Sequence, residues 1–176
     1  MNQKKLTVLV LAASAAAVAG SLISAAEAQK DAPRPRYSLN QAKQVVSMLN
    51  DLYVNAVVVT HNTYVKDPGT PAAAAMARRV FKAMEEKGWP TTRWISTTGR
   101  PMNPDAAPRD QFEKDAVDAL KKGQARFERV EGEQLRVATL IPLVDKSCQI
   151  CHSKDKVGDP VGGLSYTVNL AAPKAK

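Results

Sequence analysis

Residues 125–143 read ARFERVEGEQLRVATLIPL: two runs rich in β-branched and aromatic residues, Ala125 to Val130 and Gln134 to Leu143, on either side of Glu131-Gly132-Glu133. Apolar and polar residues alternate along both, the period of a strand with one face buried, and the glycine between them supplies the backbone freedom of a tight reversal. The reading is a β-hairpin, and hence an antiparallel sheet. Pro142 has no N–H to give a neighbour, which predicts that the second strand ends at an edge. Gly162 to Leu170 alternates again and reads as the last strand of the same sheet.

Upstream of the hairpin the period changes. Ser38 with Gln41 three residues later is a capping-box pair, and Ala42, Val45, Val46, Leu49, Leu52, Tyr53, Ala56, Val57 and Tyr64 recur at helical spacing. They predict a long amphipathic helix to about Val65, ended by Asp67-Pro68-Gly69. Thr70 as N-cap and Pro71 at the first helical position open a second helix with Ala73, Met76, Ala77, Val80, Phe81 and Met84 on its apolar side, stopped by Gly88. Trp89 to Thr97 reads as a strand closed by Thr98-Gly99-Arg100, and Pro101 to Pro108 as an ordered loop. Asp110 with Glu113 is an acidic capping box for a short third helix carrying Phe112, Ala116, Val117 and Leu120, which Gly123 ends. Helices and strands in this order make a small α+β domain on an antiparallel sheet, with a long N-terminal helix and flanking helices.

Between the hairpin and the last strand lies Cys148-Gln149-Ile150-Cys151-His152. Two thiols three positions apart can reach the two vinyl groups of one porphyrin, and the next residue can offer its imidazole to the iron. This is the attachment pattern of haem c, near the C-terminus: Cys148 and Cys151 as thioether donors, His152 as proximal iron ligand, one covalent haem. A structural zinc site takes four Cys or His ligands, and the chain has 2 Cys and 2 His with His61 far off in sequence. A thioredoxin-like dithiol sits early in its fold, and a disulfide across so short a loop removes little chain entropy.

Lys4 and Lys5 precede an apolar run from Leu6 to Ile23 and then Ala26-Glu27-Ala28, the pattern of a secretory signal cleaved after Ala28. The chain therefore divides into a signal peptide (1–28), a Pro-containing lead (29–37), one domain (38–172) and a tail (173–176). With the signal removed no stable membrane span is expected; left uncleaved, the same apolar run would be an N-terminal anchor, and either way export places the protein in the periplasm or beyond. The formal net charge is +8, but the basic residues are scattered and aromatics make up only 5% of the chain, which argues against a nucleic-acid surface.

The rest of the sequence resembles a family of single-haem c-type cytochrome domains with a PAS-like fold, found as exported proteins and as ectodomains of bacterial sensor kinases. The resemblance runs from about Leu39 to Leu170. It is carried by Asp51-Leu52-Tyr53, Lys87-Gly88-Trp89, Pro101-x-Asn103-Pro104 through Pro108-x-Asp110-x-Phe112-Glu113, Arg136-x-Ala138-Thr139-x-Ile141-Pro142, and Pro160-x-Gly162-Gly163-Leu164-Ser165-Tyr166. It implies a central antiparallel sheet with helices on one side and the haem between them, and electron carriers or redox and gas sensors as its members. One member type takes its second axial ligand from a cysteine on the first long helix. This chain has no third cysteine.

The sixth iron position has three readings: His61 on the distal side, a methionine among Met48, Met76, Met84 and Met102 with Met102 the least explained by packing, or an open site. Trp89, Trp94, Tyr53, Phe81 and Ile141 line the haem or the core, and Arg93, Arg100 and Arg136 are candidate partners for its propionates. The functional expectation is an exported monohaem c-type cytochrome in electron transfer or another redox role. The alternative is a gas or redox sensor with an open or displaceable distal site. Partners would be a redox protein or a small gaseous ligand, and the oligomeric state is left open. An enzyme is not expected, since paired carboxylates, a nucleophile elbow and a second metal site are not evident.

Overall fold

A computed structural model describes residues 34–66, 72–99, 101 and 103–172, with the side chains of 63–65 left aside. The signal peptide, the first part of the lead, the Thr70-Pro71 helix start, Tyr64 as a side chain, Arg100, Met102 and the tail lie outside the described residues.

The chain forms helix α1 (Leu39–Lys66), helix α2 (Ala73–Glu86), strand β1 (Thr91–Ser96), a single 3-10 turn (Pro104–Ala106), helix α3 (Gln111–Lys121), strands β2 (Arg126–Glu131) and β3 (Gln134–Pro142), a 3-10 segment (Lys146–Ile150) and strand β4 (Pro160–Asn169). All strand pairs are antiparallel, in the order β1-β4-β3-β2. The architecture is α+β with a PAS-like layout.

Local chemistry sets the element ends. Gln41 Oε1 accepts from the Ser38 amide (3.0 Å) and the Gln41 amide donates back to Ser38 Oγ (3.4 Å), the reciprocal box read from the sequence. At the end of α2 the Gly88 amide donates to Glu85 O and the Trp89 amide to Met84 O, a Schellman closure that needs the positive φ of Gly88 (+81°). Trp89 is thus consumed by the cap, which is why β1 starts two residues later than the aromatic run suggests.

Pro142 does not mark an edge strand. β3 is central, flanked by β2 and β4, and Pro142 is tolerated because β2 no longer pairs beyond Thr139 and the register with β4 shifts between Ile141 and Pro142.

Helices cover both faces of the sheet, not one as the family resemblance implies. Leu135, Val137, Leu164, Tyr166 and Val168 point to one face and pack with Ala42, Val46, Leu49 and Tyr53 of α1 and Phe81 of α2. The opposite face carries Ile95 and Ala138 against Phe112, Ala116, Val117 and Leu120 of α3. Strand alternation alone produces this division. α3 sits close because Gly163 faces it with no side chain: a Cβ there would lie 2.7 Å from both Leu120 Cδ1 and Thr139 O. Full burial of an apolar side chain such as Phe112 or Leu120 contributes about 1.5–3 kcal/mol.

One polar seam crosses the α1 interface. Asn50 Oδ1 accepts from Thr139 Oγ1 (2.6 Å) and from the Tyr166 hydroxyl (3.3 Å). Burial pushes the Tyr166 phenol well above its ordinary value, so it stays a neutral donor to Asn50.

Candidate functional site: the Cys148–His152 segment and the end of the long helix

The segment after β3 is a closed loop. The Leu143 amide donates to Asp159 O (2.9 Å) and the Gly158 amide to Leu143 O (2.8 Å), so the chain between them leaves and returns at one place with Leu143 buried beneath it. Inside, Asp145 caps the 3-10 segment by accepting the Ser147 amide (2.7 Å). The Ser147 hydroxyl and amide then hold the Asp145 carboxyl below the usual carboxylate range. Cys148 O accepts both the Cys151 amide (3.2 Å) and the His152 amide (3.0 Å), which wraps the five motif residues into one tight turn.

Both cysteines are free thiols, Cys148 half-buried and Cys151 exposed. His152 is half-buried, and its Nδ1 lies 3.3 Å from Asp155 Oδ2. Asp155 went unremarked in the sequence; a carboxylate three positions past the motif histidine was the available signal.

His61 reaches this loop from the other end of the chain. Its Nε2 lies 2.9 Å from Ser147 Oγ, beside Cys148. α1 is covered by the sheet only as far as Tyr53. Beyond it Val54, Val57, Val58 and His61 recur at helical spacing and are half-buried, an apolar row that ends at the imidazole contacting the loop. Leu52, expected in the apolar stripe, is 58% exposed, and the methionine candidate Met48 is 62% exposed. Of the remaining methionine candidates, Met84 is half-buried on α2 and Met76 is 37% exposed.

The aromatic candidates are divided. Tyr53 and Phe81 are core, Trp94 and Ile141 pack against that core, and Trp89 is largely exposed. Phe81 meets Tyr53 edge-on at 4.8 Å between ring centres and Trp94 at 5.9 Å. The Trp94 indole Nε1 is buried without a hydrogen-bond partner among the described residues.

Arg93 and Arg136 are not brought to the motif. By strand alternation they project to the α3 face, where their guanidinium groups are engaged in an ionic cluster. Arg93 pairs with the buried Glu113 and with the carbonyls of Asp105 and Ala107. Arg136 donates to Asp110 (2.9 Å) and lies over the Phe112 ring at 4.6 Å. Glu113 also accepts the Arg109 amide (2.8 Å), so the capping box read at Asp110 is half formed: Asp110 caps Glu113, but Glu113 reaches past it to the preceding residue.

The donor set fits a haem. Two unbridged thiols stand three positions apart, an imidazole adjoins the second, and a second imidazole contacts the same loop. Among the described residues no three His, Cys, Asp or Glu side chains are grouped to hold a bare metal ion, so a metal here suits one that brings its own ligand frame.

A family model described as Tll0287-like matches residues 10–168. The fold is similar to the crystal structure of the cyanobacterial haem protein Tll0287, with a TM-score of 0.58 and 17% identity over 77% of this chain and 99% of that one. No curated protein matches.

Proposed function

The chain belongs to the Tll0287-like family, and from that premise we propose that it is an exported monohaem c-type cytochrome with a redox role. The observation that carries the reading is the Cys148–His152 turn, with its free thiols and His61 against Ser147, the residue just before it. Cys148 and Cys151 would form the thioethers, His152 would hold the iron, and His61 would be the candidate second iron ligand. When bound, the haem supplies a one-electron couple tuned by its axial ligands.

Residues 1–28 act as a leader to the periplasm, and the basic surface suits an acidic redox partner. The protein has no catalytic role in this reading. One observation favours a second reading: His61 has a hydrogen-bond partner in Ser147 to turn to, so it could act as a displaceable ligand that yields to CO or NO in a gas sensor.

The test is the mature protein from a host able to make cytochromes c, extracted with acidified acetone. The red pigment is expected to stay with the polypeptide and to be lost to the solvent in Cys148→Ala/Cys151→Ala. A colourless wild-type product, or pigment extracted from it, would sink the proposal. Insensitivity of the spectrum to CO supports the electron carrier, and a shifted Soret band supports the sensor.

A further inference from the structure

We infer that Asp155 is a positioning residue for His152, accepting its Nδ1–H so that the other ring nitrogen keeps its electron pair for the iron. This rests on the reading of His152 as the haem ligand.

Nδ1 and Asp155 Oδ2 are 3.3 Å apart. The spacing is held by the backbone: the Asp155 amide donates to His152 O (3.0 Å), and the Gln149 side-chain amide donates to Asp155 O (2.8 Å). The other two carboxylates of the loop are used differently. Asp145 accepts the Ser147 amide and Asp159 accepts the Lys156 amide (2.7 Å), both shaping the backbone. Asp155 is the one turned to the imidazole.

A neutral imidazole has one N–H and one lone pair, and a carboxylate without a proton can only accept. A carboxylate at Nδ1 therefore selects the tautomer with its lone pair on Nε2, restrains the ring's rotation, and strengthens electron donation from the ligand nitrogen. A more strongly donating ligand favours ferric over ferrous iron.

The experiment uses the haem-loaded protein as Asp155→Ala and Asp155→Asn. Covalent attachment is checked first by acidified acetone. In Asp155→Ala the reduced-to-oxidised ratio at a fixed ambient potential is expected to rise about tenfold, which for a one-electron couple is 59 mV. The His152 ring N–H in the ferrous protein is expected to exchange with solvent at least tenfold faster, with Asp155→Asn intermediate in both readouts because its amide oxygen still accepts. If Asp155→Ala keeps its covalent haem and neither the ratio nor the exchange moves, the inference is overturned. If wild type itself releases the pigment, it is the haem-c reading that has failed.

Discussion

His61 Nε2 and Ser147 Oγ lie 2.9 Å apart across 86 residues of chain, which ties the second half of the long helix to the residue just before Cys148. This bond brings a helix-end histidine against the loop that carries the motif histidine.

Replacing His61 by alanine should therefore act on the pigment and on stability together. The ferric and ferrous spectra are expected to change and CO to bind the ferrous protein, while the lost bond costs about 0.5–1.5 kcal/mol. Difference spectra with and without CO and urea midpoints read the two effects. Unchanged spectra would remove His61 from the iron.

Gly163→Ala is expected to destabilise the fold by about 1–3 kcal/mol, because the added methyl meets the Leu120 side chain and the Thr139 carbonyl oxygen at 2.7 Å. Chemical denaturation of the haem-loaded variant measures it. Wild-type stability would mean that α3 can lift off the sheet at no cost.

Glu113→Ala removes a carboxylate that is 2% exposed and leaves Arg93, 20% exposed, without its buried partner. The expected loss is about 3–5 kcal/mol, the range for breaking one side of a buried pair. The haem spectrum should not move, since this cluster faces α3 and not α1. A spectral change with little loss of stability would contradict that placement.

Acid sensitivity follows from Asp110. Burial alone would raise its carboxyl, but the Glu113 amide and the Arg136 guanidinium outweigh burial and hold it below the ordinary value. A group lowered by folding contributes stability that is full above its unfolded value, near pH ~4, and is lost as the pH falls through the folded one. Asp110→Asn should be less stable than wild type at neutral pH, and the gap should close in acid. Urea midpoints taken across that range test it, and a constant gap refutes it.

Much of the fold was legible because its signals are local. The Ser38–Gln41 box, the Gly88 and Gly123 stops and the Gly132 reversal are each settled within a few residues, and the structure has them where the sequence puts them. What was not legible is set by distance. Strand alternation puts Arg136 opposite Leu135 and Val137 and Arg93 opposite Trp94, but the sequence has no mark telling which of the two faces the long helix would cover. On the α3 face Arg93 meets the buried Glu113. Pro142 looked like an edge residue because strand order is a tertiary fact. Leu52 lies 58% exposed between the buried Leu49 and Tyr53, because it falls at the margin of the helical stripe, whose width periodicity alone does not fix. At the site, the Cys-x-x-Cys-His spacing was readable at once, whereas Asp155 and Ser147 gain their meaning only once the loop has folded onto itself.

Tyr37 and Leu170 are bridged side by side, with the Tyr37 amide donating to Asn169 O (3.1 Å) and the Ala171 amide to Tyr37 O (2.8 Å). The polypeptide thus enters and departs through a single doorway. A body whose two ends meet can be spliced into a surface loop of some larger host, or relinked head to tail and reopened at the Gly132 reversal, with the sheet order undisturbed. Adjacent ends are the geometric condition for such grafting, and this domain meets it between Tyr37 and Leu170.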